Sequence, residues 1–150
     1  GRFEPRLADL RAVDLSATYD LVCGAPPFMP LGTGVLPQHP LRAAGRFEIR
    51  GGVEVYAEAV ARTLAAEGRG VLLMDGRSGE RTRAALVAVD LEVLQEQVVS
   101  PRPGAPPTYR IFIVTRAREG GGTLEAWAMR DSLGMAWSSR YAELRRSLEV

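Results

Sequence analysis

The stretch Tyr19-Asp20-Leu21-Val22-Cys23-Gly24-Ala25-Pro26-Pro27-Phe28 constrains this chain more than any other. A short apolar run of strand length breaks into two prolines followed by an aromatic. Pro26 and Pro27 have no backbone N–H and fix φ, so a strand must stop there and leave as a stiff, extended loop. The carbonyls of such a loop are held in place, and Phe28 brings a flat ring beside them. That pairing suits a planar ligand carrying an amino group, whose N–H groups the carbonyls accept while the ring stacks on it. A plain proline turn after a strand accounts for the same residues. Residues 24–45 then carry Gly24, Pro26, Pro27, Pro30, Gly32, Gly34, Pro37, Pro40 and Gly45. That density predicts a long loop without regular structure, and such loops inside compact domains are functional or disordered.

Around the loop the pattern is that of an α/β domain. Tyr19–Cys23 reads as a short buried strand. Val53, Tyr56, Ala57, Val60, Ala61 and Leu64 recur at spacings of three and four and predict a helix over 53–66, with Gly68 placed to end it. Gly70–Met74 is a continuous apolar run that fits a strand covered on both faces. Strand, helix and strand with a short return make a βαβ unit. Ser78 or Gly79 caps a second helix running to about Val89. Leu91–Val99 and Tyr109–Thr115 read as strands on either side of the proline-rich loop 101–107. Beyond Gly120-Gly121-Gly122, the apolar Leu124, Trp127, Ala128, Tyr141, Leu144 and Leu148 predict one or two short helices. Trp127 and Trp137 are anchors for that terminal segment.

Charge excludes little. The 150 residues carry a formal net charge of +1, so no global basic field demands nucleic acid or an anionic membrane, though a local patch is allowed. All 19 basic residues are Arg, and there is no Lys or Asn. Both missing residues use AT-rich codons, so the bias points to a GC-rich, bacterial genome and weakens any reading of Arg as phosphate-binding. The single Cys23 allows no internal disulfide and fits a reducing cytoplasm. No apolar run is long enough to span a membrane, and no signal-peptide layout opens the chain. His39, the one histidine, sits in Pro37-Gln38-His39-Pro40 without Cys or acidic partners at ligand spacing, which gives no metal site. It reads as a surface loop residue. Cys23 reads as a buried packing residue. Gly32-x-Gly34 and Gly68-x-Gly70 complete no phosphate-binding fingerprint.

The Pro-Pro-aromatic signature, its Tyr-Asp-Leu-Val approach, the Pro30-Leu31-Gly32-Thr33-Gly34 continuation and the run Arg46-Phe47-Glu48-Ile49-Arg50-Gly51-Gly52 resemble the S-adenosylmethionine-dependent amino-group methyltransferases. Among these they look most like the bacterial tRNA adenine-N6 group, over most of residues 6–116. The resemblance implies an α/β, Rossmann-like methyltransferase fold, its C-terminal portion, ending in an antiparallel strand pair. It divides the chain into a partial methyltransferase domain at 1–118 and a helical extension at 119–150.

The implied catalytic segment is Ala25, Pro26, Pro27 and Phe28, with the Pro26 carbonyl accepting from the target amine and Phe28 stacking on the base. Asp9, Leu10 and Gly24 are the implied contacts to S-adenosylmethionine. An Asp9 that merely caps a turn is an equal alternative. Arg46 and Glu48 are the implied substrate contacts, in a cluster with Arg42 and Arg50; a solvated charged segment explains them as well. The preferred substrate is adenine N6 of tRNA, and glutamine in a protein is the second target.

Two departures stand out. Ala25 occupies a position where the family carries a side-chain acceptor, a loss worth roughly 10²-fold in rate. The glycine-rich cofactor loop should lie upstream of Pro26, yet the 24 residues before Ala25 contain none. The expectation is therefore a chain that works with a missing N-terminal half or as a homodimer across an open sheet edge. A non-catalytic, methyltransferase-like binding module is the contrasting possibility.

Overall fold

A computed structural model describes residues 3–12, 16–116 and 120–148. Strand β1 (Tyr19–Gly24) stops where Pro26 and Pro27 would leave ladder positions without donors. The following segment is not wholly irregular. Helix α1 (Pro40–Arg46) forms with Pro40 in its first turn, where a missing N–H costs nothing, and it ends at the buried Phe47. Helix α2 (Val53–Thr63) buries Val53, Ala57 and Val60 along the expected stripe.

That helix runs directly into β2 (Leu64–Asp75), which begins earlier than its apolar run suggests. Gly68 and Gly70 therefore lie inside the strand. A Cβ at Gly70 would sit 2.6 Å from Val114 Cγ2 and 2.8 Å from Val60 Cγ1, so the bare backbone is what lets helix and sheet close together. Helix α3 (Gly79–Val87), β3 (Glu92–Ser100), β4 (Tyr109–Thr115), β5 (Thr123–Ala128) and helix α4 (Ser139–Ser147) complete the order.

The sheet runs β1-β2-β4-β3-β5. β1 pairs parallel with β2, and β4 lies antiparallel between β2 and β3, so 92–100 and 109–115 form the expected antiparallel pair. β5 adds parallel to β3, from Gln95↔Thr123 to Ser100↔Ala128. The helix expected around Leu124 and Trp127 is thus a strand. Its backbone groups find partners on the free edge of β3, and six residues are too few for helical spacing to outweigh that. The expected division of the chain falls within 117–119, outside the described residues. α4 lies in the segment expected to be helical. There Trp127, Trp137 and Tyr141 make ring contacts at 5.0 and 6.3 Å, and Arg130 lies 4.0 Å over the Trp137 ring.

Burial along β2 alternates, so the strand is not covered on both faces. Leu64, Leu72 and Met74 join Phe112, Val114, Leu86, Val53 and Val60 in the core beneath α2 and α3. Val71, Leu73, Ile111 and Ile113, on the opposite face, are half-buried. β1 is likewise not the buried strand expected. Among the described residues it is a sheet edge, paired on one side only, and Leu21 and Cys23 are exposed there. The pairing Cys23↔Val71 places Cys23 on the face away from α2, so it is no packing residue. Beside the core, the nearly buried Glu96 accepts from Arg83 and Arg110 and ties α3 to the sheet.

Candidate active site

The Pro26-Pro27 loop leaves the carboxyl end of β1 beside the carboxyl end of its parallel neighbour β2. In open α/β sheets this is where ligand crevices form. Two backbone bonds fix the loop. Met29 N–H donates to the Arg46 carbonyl (3.1 Å), and Glu48 N–H donates to the Met29 carbonyl (3.0 Å). This parallel bridge between Met29 and Phe47 joins the Pro-Pro segment to the Arg46–Gly52 run.

Glu48 is the hinge of a larger network. Its carboxylate, 12% exposed, accepts from Arg81 Nη1 at 2.8 Å and Nη2 at 2.9 Å. The same guanidinium donates from Nε (2.7 Å) and Nη2 (2.8 Å) to Glu54. Hydrogen bonds to Glu54 and then Glu48 hold the Arg81 guanidinium above its ordinary pKa, and the bond from Arg81 lowers that of Glu54. One cation thus clamps the loop, the start of α2 and α3 together. Glu48 is engaged inside the protein, whereas Arg42, Arg46 and Arg50 stand exposed around it.

Clefts open on either side of the loop. Pro26 is buried, Ala25 is exposed, and Pro27 and Phe28 are half-buried. Pro27 borders a cleft of about 150 Å³ with Asp9, Leu10, Arg50 and Tyr56. Leu10 and Tyr56 continue into an apolar groove of about 300 Å³ along β1, which Gly24, Leu21 and Val60 also line. The candidates Asp9, Leu10, Gly24 and Pro27 are therefore brought together. Gly24 has a steric reason: a Cβ there would lie 3.0 Å from Tyr56 Cδ1 and 3.1 Å from Leu72 Cδ2. Phe28 packs partly on the core and lines a separate cleft of about 320 Å³ with Met29, Thr33, Asp75, Ser78 and Arg81.

Asp9 does close its own turn. Its Oδ1 accepts from the Arg11 N–H at 3.1 Å and Nε at 2.9 Å, and Oδ2 accepts from Nη2 at 2.6 Å. The Arg11 bonds, side chain first and backbone second, hold this carboxyl well below the carboxylate range. His39 is exposed, and its carbonyl accepts from Ala43 N–H at 3.0 Å to start α1.

Asp75, Arg81 and Tyr56 were not legible as site residues. Asp75 carried a signal: an acidic residue at the carboxyl end of a parallel strand, followed by Gly76 and a helix start. The partners of Arg81 lie 27 and 33 residues away in sequence, which no local pattern reports.

The cofactor implied by the resemblance can be tested against the Pro27 side. On that side Leu10 and Tyr56 line both clefts, and Asp9 shares the lining of the smaller one. Among the described residues, Asp9 and Arg50 are the charged ones lining these two clefts, so they offer a partial cradle there, without a second carboxylate for a ribose.

No family model matches the chain, and no curated protein matches it in sequence. Solved structures do resemble it. A protein from Agrobacterium tumefaciens described as a predicted O-methyltransferase is 17% identical with a TM-score of 0.54, over 63% of this chain and 45% of that one. A protein from Vibrio vulnificus YJ016 described as a modification subunit of a putative type I restriction enzyme is 11% identical with a TM-score of 0.46, over 95% of this chain and 34% of that one. This chain spans less than half the length of either. The first likeness shows the fold: a mixed α/β sheet domain of the methyltransferase type.

Proposed function

We propose that this chain forms the acceptor-binding part of an S-adenosylmethionine-dependent N-methyltransferase, with adenine N6 of tRNA as its target. The observation that carries the reading is the rigid Pro26-Pro27-Phe28 loop standing between two sets of clefts. One set gathers Asp9, Leu10, Gly24 and Pro27, and the other holds Phe28. The first is the cofactor side of the reading and the second the target side.

Bound S-adenosylmethionine supplies an electrophilic methyl group. The chain positions the acceptor. The Phe28 ring stacks on the base, and a carbonyl of the Pro-Pro loop accepts an N–H of the amine, which favours the lone pair the nitrogen must develop. A base reaches such a cleft by leaving its stack. Exposed Arg42 and Arg46 supply phosphate contacts, which position nucleic acid without reading its sequence. The unpaired β1 edge and the apolar groove along it seat the rest of the cofactor site, from an upstream part of the same polypeptide or from a second copy. This part of the reading accounts for the exposure of Leu21 at 61%.

Ala25 favours a second reading. It is exposed and offers no side-chain acceptor, as in a module that binds without transferring methyl. Calorimetric titration with S-adenosylhomocysteine separates the two. It should be run on this chain alone and on the chain extended by its upstream coding sequence. Micromolar binding by either supports the enzyme. Binding by neither leaves the non-catalytic module.

A further inference from the structure

The cleft beside Phe28 has an uneven supply of hydrogen-bonding groups. Apart from Arg77, whose exposed guanidinium also lines the cleft, its donors are largely spent within the protein. Thr33 Oγ1 donates to the Pro30 carbonyl at 2.7 Å, and Ser78 Oγ donates to the Asp75 carbonyl at 2.8 Å. Arg81 is engaged by Glu48 and Glu54. The acceptors are less used. Asp75 Oδ1 accepts from the Arg77 backbone N–H at 2.9 Å and from Nε at 3.1 Å, but Oδ2 receives a single long contact from Nη2 at 3.4 Å. A carboxylate oxygen has room for two donors. The contrast with Asp9, whose Oδ2 is held at 2.6 Å, sets Asp75 apart.

Partial burial pushes the Asp75 carboxyl up, but the side-chain and backbone bonds from Arg77, with its charge, outweigh this and leave it below its ordinary value. It is therefore an anion at neutral pH. A cleft of about 320 Å³ is at the small end for ligands and admits one ring system. An aromatic wall and one under-used carboxylate oxygen together favour a planar ring that donates.

We propose that Asp75 reads the target: an aminopurine lies against Phe28 and donates an exocyclic N–H to Asp75 Oδ2. This rests on the reading of the Phe28 cleft as the acceptor side. It adds a residue that distinguishes an amino group from a carbonyl at the same ring position.

The probes are adenosine and inosine, titrated separately into the chain by calorimetry. Inosine presents a carbonyl oxygen where adenosine presents its amine, and would face the carboxylate acceptor to acceptor. Adenosine is expected to bind at least ~10-fold more tightly, the value of a hydrogen bond to a charged group. Asp75→Asn keeps an oxygen for the Arg77 N–H and places an NH2 group at the Oδ2 position, so the preference should vanish or reverse. Arg77→Ala, at a side chain 89% exposed, should keep it.

An adenosine preference unchanged in Asp75→Asn overturns the assignment. So does a preference lost in Arg77→Ala. So does wild-type binding without discrimination. Each of these leaves the acceptor cleft in place, provided that Phe28→Ala still abolishes adenosine binding. A wild-type chain that binds neither nucleoside at millimolar concentration overturns both readings.

Discussion

Replacing Arg81 with leucine removes the cation that holds the Pro-Pro loop to α2 and α3. Four charge-assisted bonds are lost, at 2.8 and 2.9 Å to Glu48 and at 2.7 and 2.8 Å to Glu54. Each would be worth about 1.5–3 kcal/mol if shielded from solvent. The shielding is incomplete, because the side chains of Arg81 and Glu54 are 41% and 49% exposed. Water screens most of the Glu54 half, so the Glu48 half dominates. The expected cost is about 2 kcal/mol at neutral pH.

Two carboxylates are then left facing each other without a cation. The variant should recover relative to wild type as Glu54 protonates. Glu54 has its folded pKa depressed below the ordinary 4.5, so its contribution to wild-type stability is present above that value and lost as pH falls through the folded one. Urea unfolding of both proteins, followed by tryptophan fluorescence at neutral pH and through the acid range, reads the difference on either side of this titration. Amide exchange at Met29 and Glu48 should accelerate in the variant. A neutral-pH difference below about 0.5 kcal/mol, the size of an ordinary surface change, would refute the clamp. An equal difference in acid would refute its electrostatic origin.

Other outcomes follow from the same structure. Glu96→Ala leaves Arg83 and Arg110 without their shared carboxylate and should cost about 3 kcal/mol in urea unfolding. Gly24→Ala presses a methyl on Tyr56 and Leu72; its expected cost is about 1 kcal/mol, with weaker S-adenosylhomocysteine binding in calorimetry. Arg42→Ala and Arg46→Ala should weaken tRNA binding without regard to sequence, each reducing the salt slope by about one in filter-binding titrations. Cys23 is exposed on β1, so native protein should react promptly and stoichiometrically with a thiol reagent; slow reaction would mean that this edge is covered in solution.

The fold was legible where side-chain spacing and backbone chemistry agree. Val53, Ala57 and Val60 mark the buried stripe of α2, Ile111–Val114 mark β4, and Pro26 ends β1. It was illegible where tertiary contact decides. Gly68 looks like a helix stop, yet it lies within β2, where a Cβ would come 3.0 Å from the Tyr19 carbonyl. Leu124 and Trp127 have helical spacing, but the open edge of β3 takes them as a strand. Cys23 ends an apolar run, and its exposure depends on which face of an edge strand it occupies. Pro40 was a missed local signal, since a proline in the first helical turn is favourable. At the site, the Pro-Pro loop and the Arg46–Glu48 run were both visible, but their bridge through Met29 was not. Asp75 required the pairing of β1 with β2 before its place at the crevice had meaning.

The proposed reaction is methyl transfer from S-adenosylmethionine to adenine N6. The direct measurement incubates unmodified tRNA and labelled S-adenosylmethionine with this chain and its upstream coding sequence, then identifies the methylated nucleoside by mass spectrometry. The account predicts N6-methyladenosine, formed at least ~100-fold more slowly by a folded Phe28→Ala variant because the base is no longer positioned. Protein that binds S-adenosylhomocysteine yet yields no methylated nucleoside, or that keeps its full rate without the Phe28 ring, would contradict it.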